Sequence, residues 1–162
     1  MTNYIRHDKA FKFFELAKYQ AELFSKDQYK KVGALFLAPD SLQILTSSFN
    51  GFPRGIDETD PKRWERPVKN YRVEHAERNG IYNASRRGTP LENSICVVTS
   101  FPCSDCARAL IQVGVKMIVT AEPDFGHVRH GETYRYAFDM LSEAKIEMLF
   151  VDSTKEPDFK YF

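Results

Sequence analysis

Apolar residues return at helical spacing near the start of the chain. Phe14, Ala17, Ala21 and Phe24, with charged residues between them, predict a helix over 8–24. The pattern then turns to strand. KVGALFL predicts a strand over 31–37, and Ala38-Pro39-Asp40-Ser41 supplies turn chemistry. A second strand over 42–49 completes a hairpin. The turn-rich NGFPRG, 50–55, opens a long polar stretch over 56–72 that holds Pro61, Trp64 and Pro67. A segment of that length without periodicity predicts a functional loop or a disordered stretch.

Regular alternation follows. A helix is predicted over 73–87, ended by Gly88 and Pro90, then a buried strand over 95–99. A helix over 103–113 carries Ala107, Leu110 and Ile111 on one face and stops at Gly114. Residues 116–120 form a strand. A loop with Pro123, Gly126 and Gly131 leads to a helix bearing Ala137, Met140, Leu141 and Ala144, and 146–151 is the last strand. Helix, hairpin, then alternating helix and strand predicts an α/β layer fold with a largely parallel second half.

Composition narrows the function classes. The 162 residues suit one domain with its own core. Net charge is +1, which gives no broad footprint for polymeric nucleic acid. No apolar run reaches membrane-spanning length, and MTNYIRHDKAFKFF carries charges where a signal peptide needs apolar residues. A cytoplasmic protein with no membrane partner is expected. The three cysteines, Cys96, Cys103 and Cys106, do not form a disulfide framework, and a close pair in a reducing compartment points to metal or redox chemistry.

Two short motifs carry that chemistry. Cys103 and Cys106 lie three apart at a predicted strand-to-helix junction. In a first helical turn that spacing puts both sulfurs on one side, where free N–H groups and the helix dipole favour thiolate. Upstream stand His75 and Glu77. Residues two apart diverge by roughly 200° in mid-helix, so this pair converges only at a helix start. Two thiolates and one imidazole make three zinc ligands; a catalytic site leaves the next position to water, whereas a structural one closes it. Glu77 is placed to take a proton from that water. An HAE triplet alone carries little weight, and CxxC alone also fits a redox pair. Cys96, mid-strand, reads as a small buried hydrophobe rather than a further ligand.

With these motifs in place, the chain resembles the cytidine deaminase superfamily, whose zinc signature is H-x-E…P-C-x-x-C. Within it the likeness is to the deoxycytidylate (dCMP) deaminases, from about Val32 to Val151. It rests on VGALFL with SFNGFPRG, on HAERNGI, and on TSFPCSDCARALIQVGVKMIV. NGFPRG and Asn79 narrow it to this subgroup. The resemblance implies one deaminase domain over 1–162, built as a three-layer α/β/α sandwich around a five-stranded mixed sheet. It implies Zn2+ held by His75, Cys103 and Cys106, with Glu77 as proton shuttle. Asn50 would bind substrate near its sugar and base, and Phe101 and Pro102 would border the base. It also implies homo-oligomers, hexamers or dimers, and regulation by dCTP and dTTP.

The expected reaction is hydrolysis of dCMP to dUMP and ammonia, feeding thymidylate synthesis. Its phosphate needs a cation. Arg54 is the preferred candidate; Lys62, Arg63 and Arg66 in the polar loop are others, and Arg86 is an alternative, from a neighbouring subunit. Trp64 reads equally as a lid and as a loop anchor. His127 and His130 are placed beside the pocket mouth rather than in a second metal site. Departures from the family pattern are Phe49 for Tyr, Gly80 for Ala and Lys145 for Gly. Two alternatives remain: a deaminase of dCTP, cytidine, guanine or tRNA adenosine, and a zinc-stabilised binding module without catalysis.

Overall fold

The alternation read from the sequence appears as nine helices and strands among the described residues of the computed structural model, 4–152. They are α1 (His7–Phe24), β1 (Gly33–Leu37), β2 (Ile44–Phe49), α2 (Ala76–Arg87), β3 (Ile95–Val98), α3 (Ser104–Gln112), β4 (Met117–Thr120), α4 (Gly131–Glu143) and β5 (Glu147–Phe150). The strands form one sheet in the order β2-β1-β3-β4-β5. β1 is antiparallel to both β2 and β3, while β3, β4 and β5 run parallel. This is the mixed five-stranded sheet expected.

Strand side chains alternate between faces, and β1 is buried along its whole length because both faces are covered. Leu35 and Leu37 point to one side with Ile95, Val97, Met117 and Val119, against Ala10, Phe14 and Ala17 of α1. Ala34 and Phe36 point to the other with Cys96, Val98 and Ile118, against Ala76, Ala84, Ala107, Leu110, Ala137 and Leu141. So α1 covers one face and α2, α3 and α4 the other, which makes three layers. Each fully buried large side chain, Phe14 and Phe36 among them, contributes roughly 1.5–3 kcal/mol over its exposed state. α1 crosses β1 so closely that a Cβ on Gly33 would stand 2.0 Å from the Ala17 carbonyl oxygen.

Element boundaries differ from the sequence expectations at two informative places. The helix predicted over 73–87 starts only at Ala76. Glu74 instead bridges Gly51 through paired backbone hydrogen bonds of 2.8 and 3.1 Å, so the chain before α2 is held extended. The strand predicted from 42 starts at Ile44, because Leu42 adopts φ 59° in the hairpin turn. The polar segment is ordered by two 3-10 turns, Pro61–Trp64 and Val68–Tyr71. Trp64 is buried, stacks on Phe52 at 4.4 Å and donates Nε1–H to the Glu58 carbonyl. It is an anchor of this segment. No helix among the described residues is long and apolar enough to cross a membrane.

Candidate metal and catalytic site

The late start of α2 places the His75–Glu77 pair. His75 is its N-cap, in extended backbone, and Glu77 lies in its first turn. Because the chain turns at the cap, the two side chains escape the mid-helix divergence. Cys103 is likewise the N-cap of α3, and Cys106 lies in the first turn. Two helix N-termini therefore meet, each with free N–H groups that favour negative charge. The Ser48 hydroxyl donates to the Ala76 carbonyl at 2.7 Å, and the Asn79 amide donates to the Phe49 carbonyl at 2.9 Å, fixing α2 on β2. Thr133 of α4 accepts from the Ser104 N–H at 2.8 Å, fixing the start of α3. Arg78 pairs with Glu74 at 2.5 Å and reaches Asp105 at 3.6 Å, linking the two helix starts.

His75, Cys103 and Cys106 form the one group among the described residues suited to hold a metal ion. Each sulfur lies 3.5 Å from His75 Nδ1. Tetrahedral zinc with its usual bonds to sulfur and nitrogen sets that separation at about 3.5 Å, so the donor set fits zinc. The Cys103 thiol is lowered to about 4, chiefly by its hydrogen bond with Cys106. The Cys106 thiol is raised by that same bond and by burial. Two sulfurs this close share one proton unless a cation lies between them. The His75 imidazole is raised, first by its contact with Cys103. Cys96 is buried in β3 within the core, and burial drives its thiol well up. It is a packing residue.

Glu77 is 3% exposed. Burial raises its carboxyl, with His75 opposing. A carboxyl group held this way, beside three metal donors, is suited to accept and return a proton.

These groups open on a cavity of about 330 Å³ whose lining includes His75, Glu77, Cys103, Asn50, Phe101 and Tyr134. Phe101 is buried and meets Tyr134 edge-on at 5.6 Å. Pro102 is buried and is not part of the lining. Asn50 lines the cavity, yet its amide is saturated by the protein. Its oxygen accepts from Val32 N–H at 2.9 Å and the Ser25 hydroxyl at 2.8 Å; its nitrogen donates to Asp27 at 3.0 Å and the Lys30 carbonyl at 2.9 Å.

Arg54 and Arg86 lie elsewhere. With Arg87 they line a second cavity of about 660 Å³ that shares no lining residue with the first, and Arg54 bonds to Asn83. His130 lines the first cavity. The His127 ring stands 4.8 Å from it, and His127 Nδ1 accepts from two backbone N–H groups, of Arg129 and His130. The pair gathers no third ligand among the described residues. Asp27, Lys30, Lys69, Arg129 and Tyr134 also line the first cavity, and the sequence did not single them out. Their segments have no motif, and nothing in a loop's pattern tells that its carboxylate will be buried.

A His–Cys–Cys group with a buried carboxylate, set at two helix starts on an α/β/α sandwich, is the constellation of the zinc-dependent deaminases. Residues 7–122 match the family model for the cytidine and deoxycytidylate deaminase zinc-binding region, and the chain belongs to that family. It is 33% identical over 138 residues to a deaminase in the luxG 3' region of Aliivibrio fischeri, covering 85% of this chain and 89% of that one. It is 31% identical over 122 residues to the deoxycytidylate deaminase of Pongo abelii, covering 72% of this chain and 66% of the relative's length. The fold matches that of the dCMP deaminase of cyanophage S-TIM5, solved in complex with dCMP and dUMP, with a TM-score of 0.72 at 21% identity over 91% of this chain and 99% of that one.

Proposed function

We propose that the protein hydrolyses dCMP to dUMP and ammonia within a single deaminase domain, in the cytoplasm, and so supplies dUMP for thymidylate synthesis. The observation that carries this reading is the buried Glu77 carboxyl beside the His75–Cys103–Cys106 group at the floor of a nucleotide-sized cavity. His75, Cys103 and Cys106 would hold zinc, which when bound would supply a water with its pKa lowered to about 7. Glu77 would accept a proton from the attacking water and deliver it to N3 of cytosine. Glu77 then passes the second proton of that water to the departing amine, which leaves as ammonia. Phe101 and Tyr134 supply an apolar wall for the base. Asn50, held rigid by its bonds to the protein, keeps the end of β2 at the pocket edge, where it lines the cavity.

The second cavity, with Arg54, Arg86 and Arg87, is separate from this chemistry. Three cations away from the reacting groups suit a regulatory nucleotide, dCTP or dTTP. Leu16, Tyr19 and Leu23 are exposed along one stripe of α1, which supports homo-oligomers, dimers or hexamers.

Purified protein incubated with dCMP, dCTP, deoxycytidine, guanine and tRNA, with ammonia release followed, tests the reading. Preferred turnover of dCMP is expected. Modification of tRNA alone, or of guanine alone, overturns it.

A further inference from the structure

Three cations meet at the mouth of the zinc-site cavity, and each comes from a different part of the chain. Lys30 lies between α1 and β1, Arg66 between the two 3-10 turns, and Arg129 just before α4. None of the three has an ion-pair partner among the described residues. The fourth cation of the lining, Lys69, is neutralised by Asp27 at 2.5 Å. Lys30 Nζ is steadied by the Ser100 hydroxyl at 2.8 Å, and the Arg66 guanidinium rests over the Tyr29 ring, 5.4 Å from its centroid. Both bear on His130, whose imidazole is lowered first by burial and then by Lys30, with His127 and Arg66 adding. Uncompensated positive charge from three segments therefore faces one opening. Like charges are not gathered at a cavity mouth without cost, and an anion there removes that cost.

We propose that Lys30, Arg66 and Arg129 form the subsite for the 5′-phosphate of the substrate; this rests on the nucleotide reading above. A phosphate dianion takes paired hydrogen bonds from each guanidinium and a point charge from the ammonium. Arg54 lies in the other cavity and does not share the task. The subsite makes the protein select a 5′-nucleotide over the nucleoside. Because the mouth is open to solvent, that selection weakens as salt rises.

Two measurements test this on Lys30→Met, Arg66→Gln and Arg129→Gln, with the loop variant Lys62→Met as control. The first is the ratio of kcat/KM for dCMP to that for deoxycytidine. The second is calorimetric binding of dUMP and of deoxyuridine, which needs no turnover. Each of the three substitutions is expected to lower the ratio and weaken dUMP roughly tenfold, the loss of one charge-assisted contact. Lys62→Met should leave both near wild type. A wild type that binds deoxyuridine as well as dUMP overturns the subsite, as does a series in which the three variants match the control. If dCMP is deaminated but the variants change nothing, the subsite fails and the deaminase reading stands. If no cytosine compound is turned over but dUMP binding is lost in the variants, the subsite stands and the deaminase reading fails.

Discussion

The ammonium of Lys69 lies 2.5 and 2.6 Å from the two carboxylate oxygens of Asp27, and both side chains are buried. Asp27 also accepts from the Tyr29 N–H at 2.9 Å and from the Asn50 amide at 3.0 Å. This pair joins the loop after α1, the second 3-10 turn and the end of β2 behind the cavity. Removing one partner strands the other charge. Lys69→Met should lower unfolding free energy by roughly 3–5 kcal/mol, read by denaturant titration. Adding Asp27→Asn to that variant should recover part of the loss, since both charges are then gone. A double variant less stable than Lys69→Met would contradict this.

Glu77→Gln keeps the shape of the side chain and removes its ability to take a proton. Zinc content should stay at wild-type level while turnover of dCMP falls by roughly 10²–10⁴. Metal analysis and ammonia release on the same sample measure the two quantities. Undiminished turnover would remove Glu77 from the mechanism.

The three cysteines should separate cleanly. Cys103→Ala and Cys106→Ala each delete a donor from the group that meets at His75 Nδ1, so metal and activity should be lost together. Cys96→Ala trims the core and should keep its zinc. Loss of zinc in the Cys96 variant would mean that this thiol reaches the metal after all.

The packing around Gly80 leaves no room for a side chain. A Cβ there would lie 2.5 Å from the Phe36 ring and 2.8 Å from the Ser48 hydroxyl. Gly80→Ala should therefore destabilise, by about 1–3 kcal/mol for an overpacked core, despite the better helix propensity of Ala. Phe36→Leu in the same chain should relieve the clash. Thermal unfolding of the two variants decides it, and a neutral Gly80→Ala would show that the ring moves aside freely.

Much of the fold was legible because it depends on local periodicity. The helices around Phe14, Leu110 and Leu141 carry a repeat that a helix buries on one face, and the strands at Leu35, Val97 and Ile118 are short apolar runs whose length marks buried strands. Boundaries were less legible. The start of α2 depends on the backbone bridge between Gly51 and Glu74, which stand far apart in the sequence. The polar loop gave no period because its order comes from Trp64 stacking on Phe52.

The site divides the same way. His75 with Glu77, and Cys103 with Cys106, stood out in the sequence because metal binding and proton transfer are open to few residue types at fixed spacings, and the fold brings them to one place. Which cations line the cavity and which lie away from it depends on how distant segments pack. Charge on a loop side chain is the same wherever the loop folds, so sequence could not separate Arg66 and Arg129 from Arg54 and Arg86. Packing of the segments around Asp27, Asn50 and Lys69 brings the first two to the cavity mouth and leaves the other two in a second hollow.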